Sequence, residues 1–280
     1  MHCLRLVETI AHPCKDANED LFGYNKQAAW IFDGASGIGP SSIASAPTDP
    51  YWLVHAMSTA MTEHWGEYVP TLALCRSAAR QVIEQFSQAV RQPAPPLIDR
   101  PTACWLMARL WDNQLELSAV GDCQLIHSST AGILEFGGKI GDVAAPVRDE
   151  LARLKAAGVE AKDLARLLLP LEREVRGKAN VDGGYAIVDL TARWIDRIEQ
   201  QVVSVSGGDR VLLMTDGLYR LIDTFEAYNA ETLMEAALSH GLQPLYEELR
   251  TLEAADENCE AFPRVKVRDD VAAALLTIDS

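Results

Sequence analysis

The sequence predicts an α+β fold, a two-sheet antiparallel β-sandwich flanked by helix pairs in four layers ordered αββα. Three observations carry this. Short apolar strands lie at both ends and in the middle of the chain, helix-period segments are inserted between them in pairs, and neighbouring strands are joined by short turns. The 280 residues are read as one domain, 1–280. No linker or low-complexity tract divides them, and the only internal echo is a repeated Asp-Gly.

Residues 3 to 9 alternate weakly and predict a first strand. After a polar stretch, "LFGYN" and "QAAWIFD" predict a hairpin across Asn25-Lys26. A loop rich in Gly, Ser and Pro follows from 34 to 50. Thr48 or Asp49 is placed to cap a helix with Pro50 in its first turn, running to about Tyr68. In a second helix, about 71 to 91, Leu72, Cys75, Ala79, Val82, Ile83 and Phe86 recur at helical spacing until "RQPAPPLIDRP" breaks it. "TACWLMARLW", "QLELSAVGD", "CQLIHS" and "GILEFG" read as an antiparallel meander turning at Asp112-Asn113 and Thr130-Ala131.

From about 146 to 176 the pattern is helical. "GGYAIVDL" and "RIEQQVVSVS" return to strand, and a Gly207-Gly208 turn leads into "RVLLMTD". Helices at about 230–239 and 243–256 precede the closing strand "DVAAALLTI".

With 40 acidic and 25 basic residues the formal charge is −15, which repels phosphate backbones and anionic membranes. Nucleic acid and membrane partners are therefore not expected, and no stretch approaches the length of a membrane span. Six cysteines at 3, 14, 75, 104, 123 and 259 form no CxxC pair. With no N-terminal signal, this leads us to expect free thiols and a cytoplasmic setting.

The acids at strand ends are the informative feature. Asp33 ends "WIFDG", Asp122 lies in "AVGDCQL", Asp216 in "MTDGL" and Asp269-Asp270 in "VRDDVAAALL", with Glu19-Asp20 just before "LFGYN". If these ends meet on one rim, their mutual repulsion calls for a divalent cation. Carboxylates, backbone carbonyls and water are the ligands of hard ions such as Mg²⁺ and Mn²⁺. Glycine after Asp33 and Asp216 lets the chain turn away sharply.

"KDANEDLF", "WIFDGASGIG", "PTACWLMARL…LSAVGDCQLIH", "VLLMTDGL" and "VRDDVAAALLTI" occur, in this order, in a chain that resembles the metal-dependent (PPM-type, protein phosphatase 2C) serine/threonine phosphatases. The resemblance spans residues 15 to 278. It implies a two-metal centre holding Mn²⁺ or Mg²⁺. Asp33 would bridge both ions, Asp216 and Asp269 would hold the first, and the Gly34 carbonyl and Glu19 the second, Glu19 through water. It further implies direct hydrolysis of phosphoserine and phosphothreonine in proteins by a metal-activated water, without a phosphoenzyme. A phosphorylated protein would be the substrate and a cognate serine/threonine kinase a further partner.

Lys15 lies where the family usually has a phosphate-holding arginine, and a lysine offers a point charge instead of a bidentate fork. Asp122 matches an acid associated with a third, weaker ion, but Arg220 stands where its partner acid is expected. Ala35 replaces a histidine that some members carry after Asp-Gly, and Asp270 an asparagine. These departures leave two further readings open: a non-catalytic phosphoprotein-binding or regulatory pseudophosphatase, and a phosphatase of small esters. The helical segment of about 140–180 matches least and would be the family's variable flap.

Other features support no chemistry. The six histidines show no HExxH and no zinc spacing with cysteine. "DGASGIG" is neither GxGxxG nor GxSxG, and "GGKIG" lacks the residue a P-loop needs after lysine. Tyr51, Trp52, Trp65 and Tyr68 read as helix packing. The arginines at 148, 153, 166, 173 and 176 read as a solvated helical face, with a phosphopeptide contact as the alternative.

Overall fold

The computed structural model describes residues 2–35, 41–138, 140, 143 and 145–280. Part of the expected 34–50 loop, 36–40, lies outside the described residues, as do Lys139 and Gly141 of "GGKIG" and positions 142 and 144 of the expected flap. Ten strands and seven α-helices are described. The strands are β1 (Cys3–His12), β2 (Asp20–Asn25), β3 (Ala28–Ala35), β4 (Thr102–Trp111), β5 (Gln114–Val120), β6 (Gln124–Ser129), β7 (Gly132–Gly137), β8 (Glu199–Ser204), β9 (Arg210–Met214) and β10 (Val271–Asp279). The helices are α1 (Asp49–Glu63), α2 (Thr71–Ala89), α3 (Ala145–Ala156), α4 (Ala161–Arg176), α5 (Asp216–Asp223), α6 (Ala230–His240) and α7 (Leu242–Ala255).

The strands form two antiparallel five-stranded sheets, ordered β1-β10-β9-β6-β7 and β2-β3-β4-β5-β8. Strand side chains alternate between faces, and in the central strands both faces are buried. In β3, Ala29 and Ile31 enter the layer between the sheets, where they meet Leu106, Leu213 and Ala274. Trp30 and Phe32 point the other way, onto α1 and α2. Leu212 and Met214 of β9 and Leu275 of β10 likewise face α5, α6 and α7. Apolar burial on all these faces, at about 25 cal/mol per Å², stacks the four layers in the expected order.

The helix signals hold locally. The Thr48 hydroxyl caps α1 by accepting the Tyr51 N–H at 3.2 Å. Buried Leu74, Ala78, Val82 and Phe86 line one stripe of α2. α1, however, ends at Glu63 instead of running to Tyr68. Arg109, only 1% exposed, captures the carbonyls of Gly66, Glu67 and Val69 while its guanidinium lies between the rings of Trp65 and Trp111. The last turn closes with the Trp65 N–H on the Thr62 carbonyl, and Gly66 and Pro70 do not favour continuing the helix, so Trp65 and Tyr68 are not helix residues, and Tyr68 is exposed.

Three further expectations are corrected. β4 to β7 are not one meander, because the chain crosses between sheets at Gly121-Asp122, leaving β4–β5 and β6–β7 as hairpins in different sheets. "GGYAIVDL" is not a strand. Along most of β4 both edges are occupied by β3 and β5, so this segment reaches the sheet only at Ala103, which exchanges hydrogen bonds with Val188. Asp216 does not end a strand but opens α5, with only Thr215 between that helix and β9.

α3 and α4 form a small core of their own from Val147, Leu151, Leu154 and Leu168. Their arginines are not all solvated: Arg173 binds both oxygens of Asp99 at 2.8 Å and Arg176 donates to the Thr102 hydroxyl at 3.1 Å, fastening α4 to the start of β4. Among the described residues, no helix is long and apolar enough to cross a membrane.

Candidate metal centre

The site begins with strand register. Asp33 pairs across the β2–β3 ladder with Asp20 and across the β3–β4 ladder with Cys104. Directly paired residues share a face, and by alternation from Ala29 and Ile31 that face is the one between the sheets. Asp20, Asp33 and Cys104 therefore form a row at one end of the sandwich. The opposing sheet answers with Asp216, at the first turn of α5 after β9, and Asp269, just before β10. Asp122 enters on the crossover from β5 to β6.

Two glycines permit this convergence. A Cβ on Gly217 would stand 2.0 Å from the Asp270 carbonyl oxygen, so only glycine lets the start of α5 approach the segment carrying Asp269. A Cβ on Gly34 would stand 2.6 Å from the Glu19 carbonyl oxygen, which accepts the Gly34 N–H at 3.0 Å. The Asp270 carboxylate accepts the N–H groups of Cys14 (2.7 Å) and Glu19 (2.6 Å), tying the 14–19 segment to β10.

The carboxyls strain one another. Burial first, then the charges of Asp20, Asp216, Asp122 and Asp269, raise the Asp33 pKa well above the carboxylate range. Burial and then Asp216, Asp269 and Asp270 raise that of Asp20, against a hydrogen bond from Thr215. Burial also raises Asp122. Asp216 is pushed up to about 7, by burial and then by Asp269. Asp20 Oδ2 and Asp122 Oδ1 are enclosed and accept no hydrogen bond. Buried acceptors without donors, among acids that repel, are the surroundings that a bound divalent cation would satisfy. Asp33, Cys104 and Asp122 each offer a ligand atom, all within 4.8 Å of one another.

Asp269 also has protein cations beside it. Arg220 reaches Asp269 Oδ2 at 2.7 Å and the fully buried Glu253 at 3.2 Å, and Lys266 reaches Asp269 Oδ1 at 2.9 Å. A cleft of about 370 Å³ adjoins the acids, lined by Lys15, Glu19, Ser41, Asp49, Lys266 and Asp269.

Of the residues singled out from sequence, Asp33, Asp122, Asp216 and Asp269 lie in one electrostatic cluster. Lys15 and Glu19 lie on the wall of the adjoining cleft, and Gly34 follows Asp33 on β3. Asp20, one of the acids gathered from sequence at strand ends, joins the site, as does Arg220, which stands where a partner acid is expected. Cys104 and Lys266 join it as well, and no local signal marks those two.

A two-sheet sandwich with helix pairs on both faces and acids at one rim is the architecture of PPM-type serine/threonine phosphatases, and the chain has that fold. The catalytic domain of the serine/threonine phosphatase PstP, in complex with two manganese ions, is 15% identical over 100% of both chains with a TM-score of 0.57. PstP/Ppp of Mycobacterium tuberculosis is 15% identical, covering 99% of this chain and 100% of that one, with a TM-score of 0.59. PppA, a key regulatory component of T6SS in Pseudomonas aeruginosa, is 13% identical at the same coverage, with a TM-score of 0.61. No family model and no curated protein matches the chain.

Proposed function

We propose that this chain is a metal-dependent phosphatase that removes phosphate from phosphoserine and phosphothreonine in proteins. The observation that carries this reading is the mutual electrostatic strain of Asp20, Asp33, Asp122, Asp216 and Asp269 around two enclosed carboxylate oxygens without donors. The oxygen donors fit two ions of Mn²⁺ or Mg²⁺. Asp33 would bridge the pair, Asp216 and Asp269 would hold one ion, and the Gly34 carbonyl and Glu19 the other. When bound, such ions supply Lewis acidity and a water acidified toward neutral pH.

The chain's own contribution is positioning. Asp270 holds the 14–19 segment beside the acids, and Lys15 on the cleft wall offers an ammonium to the substrate phosphate. The α3–α4 pair, in the segment of about 140–180, would act as a variable flap on a single domain. The six free thiols support a cytoplasmic setting, with a protein kinase as counterpart.

The test is hydrolysis of p-nitrophenyl phosphate and of a phosphothreonine peptide near neutral pH, with Mn²⁺ titrated against a chelator. Turnover should require the metal and should fall by roughly 10²-fold or more in Asp33→Asn, the scale of losing one preorganised electrostatic group. Undiminished turnover in that variant would sink the assignment. Hydrolysis of the small ester without the peptide would instead support a phosphatase of small esters.

A second reading, a non-catalytic phosphoprotein binder, is favoured by one observation. Both carboxylate oxygens of Asp269 are engaged by protein cations that compete with a metal. Calorimetry separates the two: phosphopeptide binding with no Mn²⁺ binding supports the second reading.

A further inference from the structure

Cys104 is a sulfur donor in a centre otherwise made of oxygen. Its register opposite Asp33 turns it toward the acids, and its Sγ lies within 4.8 Å of ligand oxygens from Asp33 and Asp122. Donors at about 2.0–2.3 Å from a tetrahedral ion lie roughly 3.5 Å apart, so side-chain adjustments suffice to close this group around one ion. A second observation points to a cation at this rim. Asp122 Oδ1 is enclosed without a donor, and so is Oδ2 of Asp20, which adjoins Asp33 from the β2 side and is only 5% exposed.

We propose that Cys104, with Asp33 and Asp122, forms a mixed thiolate–carboxylate subsite that accepts a borderline-soft divalent cation, such as Zn²⁺, Co²⁺ or Cd²⁺. The inference rests on reading the acid cluster as a cation centre and adds to it a donor and a metal class. Carboxylates alone select hard ions, whereas one sulfur shifts preference toward zinc and its neighbours. Sulfur binds as the thiolate, its proton leaving to solvent as the metal–sulfur bond forms. The consequence is competition: zinc or cadmium taken up by Asp33, Cys104 and Asp122 occupies the carboxylate that a Mn²⁺ or Mg²⁺ pair would share.

The experiment titrates the metal-free full-length chain with Co²⁺, following binding by calorimetry and thiolate-to-cobalt charge transfer by near-ultraviolet absorption. The wild type and Cys123→Ala should show a saturable band that tracks binding. Cys104→Ser, close in size, should bind cobalt without the band and bind zinc roughly tenfold or more weakly. Circular dichroism checks that each variant is folded. Cobalt binding to the wild type without a charge-transfer band overturns the sulfur ligand but leaves the carboxylate centre standing, as does a band that survives Cys104→Ser. Failure of the folded wild type to bind cobalt, manganese or magnesium overturns the cation centre as well.

Discussion

At the scale of single residues, the centre is a set of acids held at a thermodynamic disadvantage. Asp216, pushed up to about 7 from an ordinary 3.8, makes stability depend on pH. Its folded pKa lies above its unfolded value, so between roughly pH 4 and pH 7 the folded state binds more protons than the unfolded one. The contribution of Asp216 to the stability of the metal-free chain therefore falls as pH rises through that window. We expect the melting temperature in chelator to decline across this range, and the decline to be shallower in Asp216→Asn. Saturating Mn²⁺ should flatten it, because the ion replaces the proton. Identical pH profiles for wild type and Asp216→Asn would show that Asp216 does not titrate in this way.

At the scale of elements, the junction of β9 and α5 sets the geometry. The helix starts at Asp216 itself, and Gly217 lies against the backbone of Asp270 with no room for a Cβ. Gly217→Ala drives a Cβ against the Asp270 carbonyl, an overpacking that costs about 1–3 kcal/mol, and moves Asp216 away from Asp269. Urea denaturation should show a loss of that size, and calorimetry a weaker Mn²⁺ affinity. Unchanged values for both would mean that the junction has slack. One turn further along α5, Arg220 and Glu253 form an ion pair that also involves Arg250, linking α5 to α7 and both to Asp269. The orientation of Asp269 is therefore coupled to packing two elements away.

At the scale of the whole molecule, order is unequal. The inter-sheet layer and the two sheet–helix layers are large apolar clusters, whereas among the described residues α3 and α4 share only Val147, Leu151, Leu154 and Leu168 as buried apolar residues. Local opening free energy follows the apolar contact that opening disrupts. Hydrogen exchange should show α3 and α4 amides exchanging orders of magnitude faster than those of β4 and β10, without loss of the sandwich. Equal protection would mean that the pair unfolds only with the rest of the chain.

Much of this architecture is legible in the residues alone. Period-2 and period-3.6 patterns are local, so the strand segments β1 to β10, the α1 cap at Thr48 and the flanking helix pairs can be read along the chain, as can the acids Asp33, Asp122, Asp216 and Asp269 beside apolar runs. The illegible parts depend on partners distant in sequence. Arg109 holds the segment just past α1 through carbonyls 40 to 43 positions away, and β5 and β6 look like neighbours but enter different sheets. Register between β3 and β4 sets Cys104 beside Asp33, and Arg220 finds Asp269 across 49 positions. The sequence by itself determined the elements and the acidic chemistry available to them, because hydrophobic period and side-chain type act over a few residues. Only the tertiary structure decided which acids share a face, which cations oppose them and which thiol lies among them, because those relations arise from strand pairing and sheet stacking.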